Sequence, residues 1–148
     1  MSDLDVAAGV ATVLQLSGKV ASLCLDYWKE VRQSERDISR LRTEATFLEE
    51  ILQRVSQLIK QPDNAKLQAL LGISTALSDG ETQLQRLVNK LHRQETSRMR
   101  TQALKWPFQK GEVGKAINDL KECRQLICAA LQIDQVCVCD RGHALAMD

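Results

Sequence analysis

SERDISRLRTEATFLEEILQRVSQLIK, residues 34–60, decides the fold. Ile38, Leu41, Ala45, Leu48, Leu52, Val55 and Ile59 follow one another in alternating steps of three and four. That spacing puts all seven on one side of an α-helix and leaves the charges on the other. Ile51 and Leu58 widen the stripe from a coiled-coil seam to a bundle face. Ser34 with Asp37 three residues later resembles a capping box, and Pro62 ends the run.

Working outward, two more segments carry helical stripes. Leu67, Leu70, Leu77, Leu84, Leu87, Val88 and Leu91 predict a helix from about Asp63 to His92, weakened at Gly72 and Gly80. Val113, Ala116, Ile117, Leu120, Cys123, Ile127, Ala130 and Leu131 predict another after Gly111. The amino end differs. Between Asp5 and Lys19 the chain carries no charge, and a second apolar run follows from Val20 to Leu25. We read one helix over residues 4–31, apolar nearly all round in its first half. It is therefore either the buried centre of the bundle or destined for lipid. No stretch reaches the ~18 apolar residues expected of a stable membrane-spanning helix.

The expected fold is all-α: a four-helix bundle with a long first helix and a basic loop before the last long helix. One domain covers residues 1–135, and residues 136–148 form an unstructured or atypical tail. With 44% hydrophobic, 26% charged and 3% aromatic residues, the 148-residue chain has the make-up of a globular helical protein. Its net charge of +1 gives no global field for nucleic acid. Five cysteines, an odd number, and no secretory leader point to free thiols in a reducing, cytoplasmic setting.

No catalytic constellation is apparent, and the reading is not an enzyme, with no cofactor and no small-molecule substrate. His92 sits on a charged helix face and His143 in the tail, and no phosphate loop, nucleophile elbow or zinc-protease helix is present. The carboxylates fall on solvent-facing helix positions. Cys137 and Cys139 with His143 offer three metal-ligand types but no second pair, so no metal is expected and the thiols read as free.

Two features bear on partners. From Arg86 to Lys110 there are seven Lys or Arg and one acid, Glu95, with no apolar periodicity from Gln94 onward. Arg93, Arg98, Arg100, Lys105, Trp106 and Lys110 make a candidate docking loop for anionic membrane lipids. The competing reading has Trp106 and Phe108 plugging the end of the bundle. The aromatics do not interleave with the charges, so nucleic acid is not expected. In the first helix, Val6, Val10, Val13, Leu14, Leu16, Val20 and Leu23 are the candidate membrane-insertion residues. Small residues four apart, Ala7 with Ala11 and Gly18 with Ser22, allow close helix approach there. The stripe Ile38, Leu41, Leu48, Leu52, Val55 and Ile59 is core, and an association surface if part of it stays exposed.

Three stretches carry a family resemblance: VAAGV (6–10) with LSGKVASLCLDY (16–27), DISRLRTE (37–44), and ALKWPFQKGEV (103–113) running on to LQIDQ (131–135). The chain resembles the HeLo-like and SesA group of N-terminal domains on fungal NOD-like receptors, the STAND proteins with a NACHT NTPase. The likeness implies kinship with the four-helix bundle of the necroptosis pseudokinase. It also implies a role in programmed cell death, in fungal innate immunity or heterokaryon incompatibility. In such relatives oligomerisation exposes the N-terminal helix, which goes to the membrane. The implied partners are further copies of itself and related domains of NOD-like receptors, with the protein cytoplasmic at rest and membrane-associated when activated. A homotypic adaptor and an inhibitory bundle without membrane activity are the alternatives. After Gln135 the family pattern is lost. Val136-Cys137 fits a translated intron start, so the tail reads as an unspliced intron or a truncated gene product.

Overall fold

The computed structural model describes residues 3–31, 34–60, 72–97 and 105–132. Four helices account for nearly all of them: α1 (Asp3–Glu30), α2 (Glu35–Ile59), α3 (Ser74–Ser97) and α4 (Glu112–Leu131). Among the described residues there is no strand. The chain is all-α, with a long first helix of 28 residues.

The seven-residue stripe of α2 does what its spacing requires. Ile38, Leu41, Ala45, Leu48, Leu52 and Val55 are wholly buried, and Ile59 is half-buried at the helix end. Ser34 occupies the N-cap, but its side chain caps nothing. Its carbonyl accepts the first bond of the helix, from Ile38 N–H at 2.9 Å. The expected capping box does not form.

Packing sets the order of the helices. α1 packs on α2 and α3, and α4 packs on the same two helices from the opposite side. Around the bundle the order is therefore α1, α2, α4, α3, and α2 and α3, though consecutive in sequence, lie on a diagonal. Val13 lies beside Gly80 and Tyr27 beside Leu91, so α1 and α3 run parallel. Cys123 lies beside Ala76, and Lys90 beside Glu112, so α3 and α4 run antiparallel. Ile127, on α4, lies across the bundle from α1.

Two glycines are dictated by geometry. Gly111 precedes α4 with φ of +89°, a conformation that side-chain-bearing residues rarely adopt. Gly80 sits where α3 meets α4 and α1 closely, since a Cβ there would lie 2.9 Å from Cys123 Sγ and 3.8 Å from Val13 Cγ1. The glycine that weakens the α3 pattern in sequence is what lets three helices converge.

Further expectations are corrected or fall outside the described residues. The helix predicted from Asp63 is described only from the Gly72 region, and Leu67 and Leu70 lie outside the described residues. The loop predicted from Gln94 begins later, because α3 continues to Ser97. Gln and Glu propagate a helix well without an apolar stripe. Residues 133–148, with the CxC pair and His143, lie outside the described residues.

Candidate functional site

The site centres on α1. Val6, Val10, Val13, Val20 and Leu23 are buried, with Ser17, Cys24 and Tyr27 on the same side. Leu14 and Leu16 are half-buried on the flanks of this face. All seven candidate insertion residues thus point wholly or partly into the bundle. Ser17 contributes no unpaired polar group, since its Oγ donates to Val13 O at 2.8 Å.

The opposite side of α1 corrects the expectation of a central helix. Ala8, Ala11, Gln15, Lys19 and Ser22 face water. Only 33% of the most apolar stretch of Val6–Glu30 is buried, yet that segment is long and apolar enough, by length and composition, to cross a membrane. Counting a run of apolar residues missed this, because Gln15, Ser17, Gly18 and Lys19 break the run without removing its average character. The outward face from Val6 to Gly18 is uncharged and presents Ala8, Ala11 and Gln15, and the two alanines carry little apolar area to hide.

Tyr27 anchors the carboxyl half of α1. Its hydroxyl donates to Leu91 O of α3 at 2.6 Å. Trp106 meets the Tyr27 ring edge-on at 5.3 Å, and Phe108 meets Trp106 at 4.9 Å. Lys90 lies 5.0 Å over the Phe108 ring and pairs with Glu112. Glu112 also accepts the Gln109 N–H at 3.0 Å. That backbone donor, then Lys90, holds the Glu112 carboxyl below the usual carboxylate range.

Of the candidate docking loop, the structure turns Trp106 inward, half-buried on Tyr27, so the plug describes the aromatics and Trp106 is not a free membrane anchor. Lys105 and Lys110 are exposed on either side of it. Arg93 lies on α3, while Arg98 and Arg100 lie outside the described residues. Ile38, Leu41, Leu48, Leu52 and Val55 of the stripe are committed to the core, and Ile59 is half-buried at its end.

Two features were not foreseen. The first is a buried ion pair. Arg124 of α4 donates from Nε to Glu44 Oε1 of α2 at 2.8 Å, with both side chains almost fully enclosed, and the guanidinium lies 5.6 Å from the Phe47 ring. Glu44 had been counted among solvent-facing carboxylates. The second is a cleft of about 250 Å³ between α3 and α4, lined by Asp79, Asp119, Glu122 and Leu126 around Gly80 and Cys123. Leu126 is 54% exposed beside it.

Three thiols, Cys24, Cys123 and Cys128, are buried and outside any disulfide. Burial pushes the Cys24 thiol up to about 12, against a smaller opposing pull from Arg42. Burial, aided by Asp79, pushes Cys123 up to about 11. Cys123 Sγ donates to Ala76 O at 3.2 Å. Protonated, enclosed thiols of this kind behave as small apolar groups and not as nucleophiles. Among the described residues, no group of three His, Cys, Asp or Glu is placed to hold a metal.

The chain matches no family model, no curated protein and no solved structure.

Proposed function

We propose that the chain is a membrane-targeting cell-death or signalling domain of the HeLo-like and SesA kind, in fungal innate immunity or heterokaryon incompatibility. Oligomerisation would activate it by releasing α1 from the bundle to lipid. The observation that carries this reading is α1 itself: a 28-residue helix with span-like composition, held to the bundle by one face. At 1.5 Å per residue it is about 42 Å long, more than the ~30 Å hydrocarbon core of a bilayer.

The energetics define what release requires. Val6, Val10, Val13, Val20 and Leu23 lose their burial when α1 leaves. At about 2 kcal/mol each, exposing them to water costs on the order of 10 kcal/mol. Hydrocarbon, or the same face of another copy, removes that cost. Clustering several copies raises their local concentration and favours the open state by mass action. Lys105 and Lys110, exposed beside α1's carboxyl end, supply charge for anionic headgroups.

Dye release from anionic vesicles, with the domain fused to an inducible dimeriser, tests the proposal. Leakage and vesicle association are expected on adding the dimerising ligand. Neither occurring, with the protein folded and oligomeric, would sink it.

The second reading is a homotypic adaptor or an inhibitory bundle without membrane activity. The cleft flanked by the exposed Leu126 favours it as a surface that another protein could cover. An acid at Val13 cannot discriminate the two, because Val13 is wholly buried and the substitution would break the fold. An acid on the outward side of α1 can.

A further inference from the structure

Residues 105–110 cross the end of the bundle where α1 and α3 finish and α4 begins. We infer that this strap is a latch on α1, and that its docked state is poised to open. The inference deepens the proposed release of α1, and it rests on that reading only for the lipid step.

The strap grips α1 at its tie point. Trp106 packs edge-on against Tyr27, and Tyr27 is the residue whose hydroxyl fastens α1 to Leu91 O of α3. Removing the strap uncovers that bond to water, which competes for both of its partners.

The docked indole is also under-satisfied. Trp106 Nε1 is buried and has no hydrogen-bond acceptor among the described residues. Burial of the rings draws the strap in, while the orphaned N–H opposes it. In water, or among lipid carbonyls, that donor regains a partner.

The remaining clamp is a surface one. Lys90 holds Phe108 from above and pairs with Glu112, whose side chains are 36% and 38% exposed. Ion pairs at that exposure are weak and screened by salt. Gly111, with φ of +89°, joins the strap to α4 and can serve as its hinge. Aromatic contact, an unpaired donor and a weak clamp leave the strap closer to balance than the core behind it.

Cys24 on α1 and Cys128 on α4 report the consequence, since both are buried thiols outside any disulfide. Alkylation of the full chain without lipid, resolved site by site by mass spectrometry, follows them separately. Glu112→Gln keeps an acceptor for Gln109 but removes the charge facing Lys90. It should speed Cys24 alkylation about two- to fivefold, with Cys128 unchanged. Trp106→Ala should speed Cys24 further, again without Cys128. Benzothienylalanine at position 106 keeps the ring shape and puts sulfur where the N–H was. It should slow Cys24 alkylation about tenfold.

Equal acceleration of Cys24 and Cys128 in both the Glu112 and Trp106 variants would overturn the latch, because the bundle would then open as one unit. No change at Cys24 in either variant, or faster alkylation with the isostere, would overturn it as well. Vesicle leakage separates this inference from the proposed function. A selective Cys24 response without leakage on forced oligomerisation leaves the latch and removes the membrane role. Leakage without a selective response does the reverse.

Discussion

Replacing Ala11 with glutamate puts a carboxylate on the side of α1 that faces water in the closed bundle. An exposed alanine makes no contact that the fold needs, and glutamate is nearly as good a helix former. Closed-state stability should therefore change by no more than about 0.5 kcal/mol. In a bilayer the same position is costly. Ala11 lies near the middle of the uncharged run from Val6 to Gly18. A carboxylate at the centre of a spanning helix costs about 2.5–3.5 kcal/mol on insertion scales, and Ala11, ~10 Å from the middle of the Val6–Glu30 span, should cost a part of that, about 1–2 kcal/mol. At 1.4 kcal/mol per tenfold, that is about a tenfold loss of inserted helix. The assay pairs thermal denaturation of the resting domain with flotation and dye release of the dimerised domain on anionic vesicles. Ala11→Leu serves as the control and should insert at least as well as the parent. A folded Ala11→Glu protein that floats and releases dye like the parent would refute the reasoning, since the outward face would then never enter hydrocarbon. A large loss of thermal stability would refute the first half, the outward placement itself.

Three further outcomes follow from the packing. Arg124→Ala leaves the Glu44 carboxylate enclosed without its cation and should cost about 3–5 kcal/mol in denaturant unfolding. Replacing both partners, Glu44→Leu with Arg124→Met, should recover most of that loss. Gly80→Ala drives a methyl group toward Cys123 Sγ and should destabilise by about 1–3 kcal/mol. Gly114→Ala, where nothing lies within 4 Å, should stabilise by about 0.5–1 kcal/mol, both read as shifts in the denaturant midpoint. Cys24 and Cys123 stay protonated in the fold to about 12 and about 11, whereas the unfolded thiols ionise near 9.0. The unfolded chain therefore holds fewer protons above that point, and stability falls as pH rises from 9 toward 11. The loss at pH 10 should be about 1 kcal/mol per thiol. Denaturant midpoints at pH 8 and 10 measure it, and a Cys24→Ala, Cys123→Ala protein should show a correspondingly smaller fall.

How much was legible depended on whether the information was local. The three- and four-residue steps of α2 and α4 required amphipathic helices, because any other conformation scatters their apolar residues over the surface. The buried ion pair was half legible. Leu41, Glu44, Leu48, Ile51 and Val55 keep the bundle step, and so do Val113, Ile117, Leu120, Arg124 and Ile127. One acid and one base thus stand in core register on two helices. What the pattern lacks is that α2 and α4 are neighbours, which follows from the diagonal placement of α2 and α3 and not from any period. The inward turn of Trp106 agrees with the plug reading, but its seat was non-local in the same way, since Tyr27, on a helix far away in sequence, provides it.

The case of α1 is the most informative. The apolar first half of α1 leaves two readings, the buried centre of the bundle or a helix for lipid, and small residues escape the first because they expose little apolar area. Ala8 and Ala11 can face water at almost no cost. A bundle helix with no other duty gains from charge at such positions, through solubility and through pairs three or four residues apart. α2 carries Glu35, Arg36, Arg40 and Arg42 exposed in this way. Packing therefore explains the valine side of α1 but leaves the bareness of its outward side without a reason. The proposed transfer to lipid supplies one, because every outward charge between Val6 and Gly18 would tax insertion by about as much as Ala11→Glu is expected to.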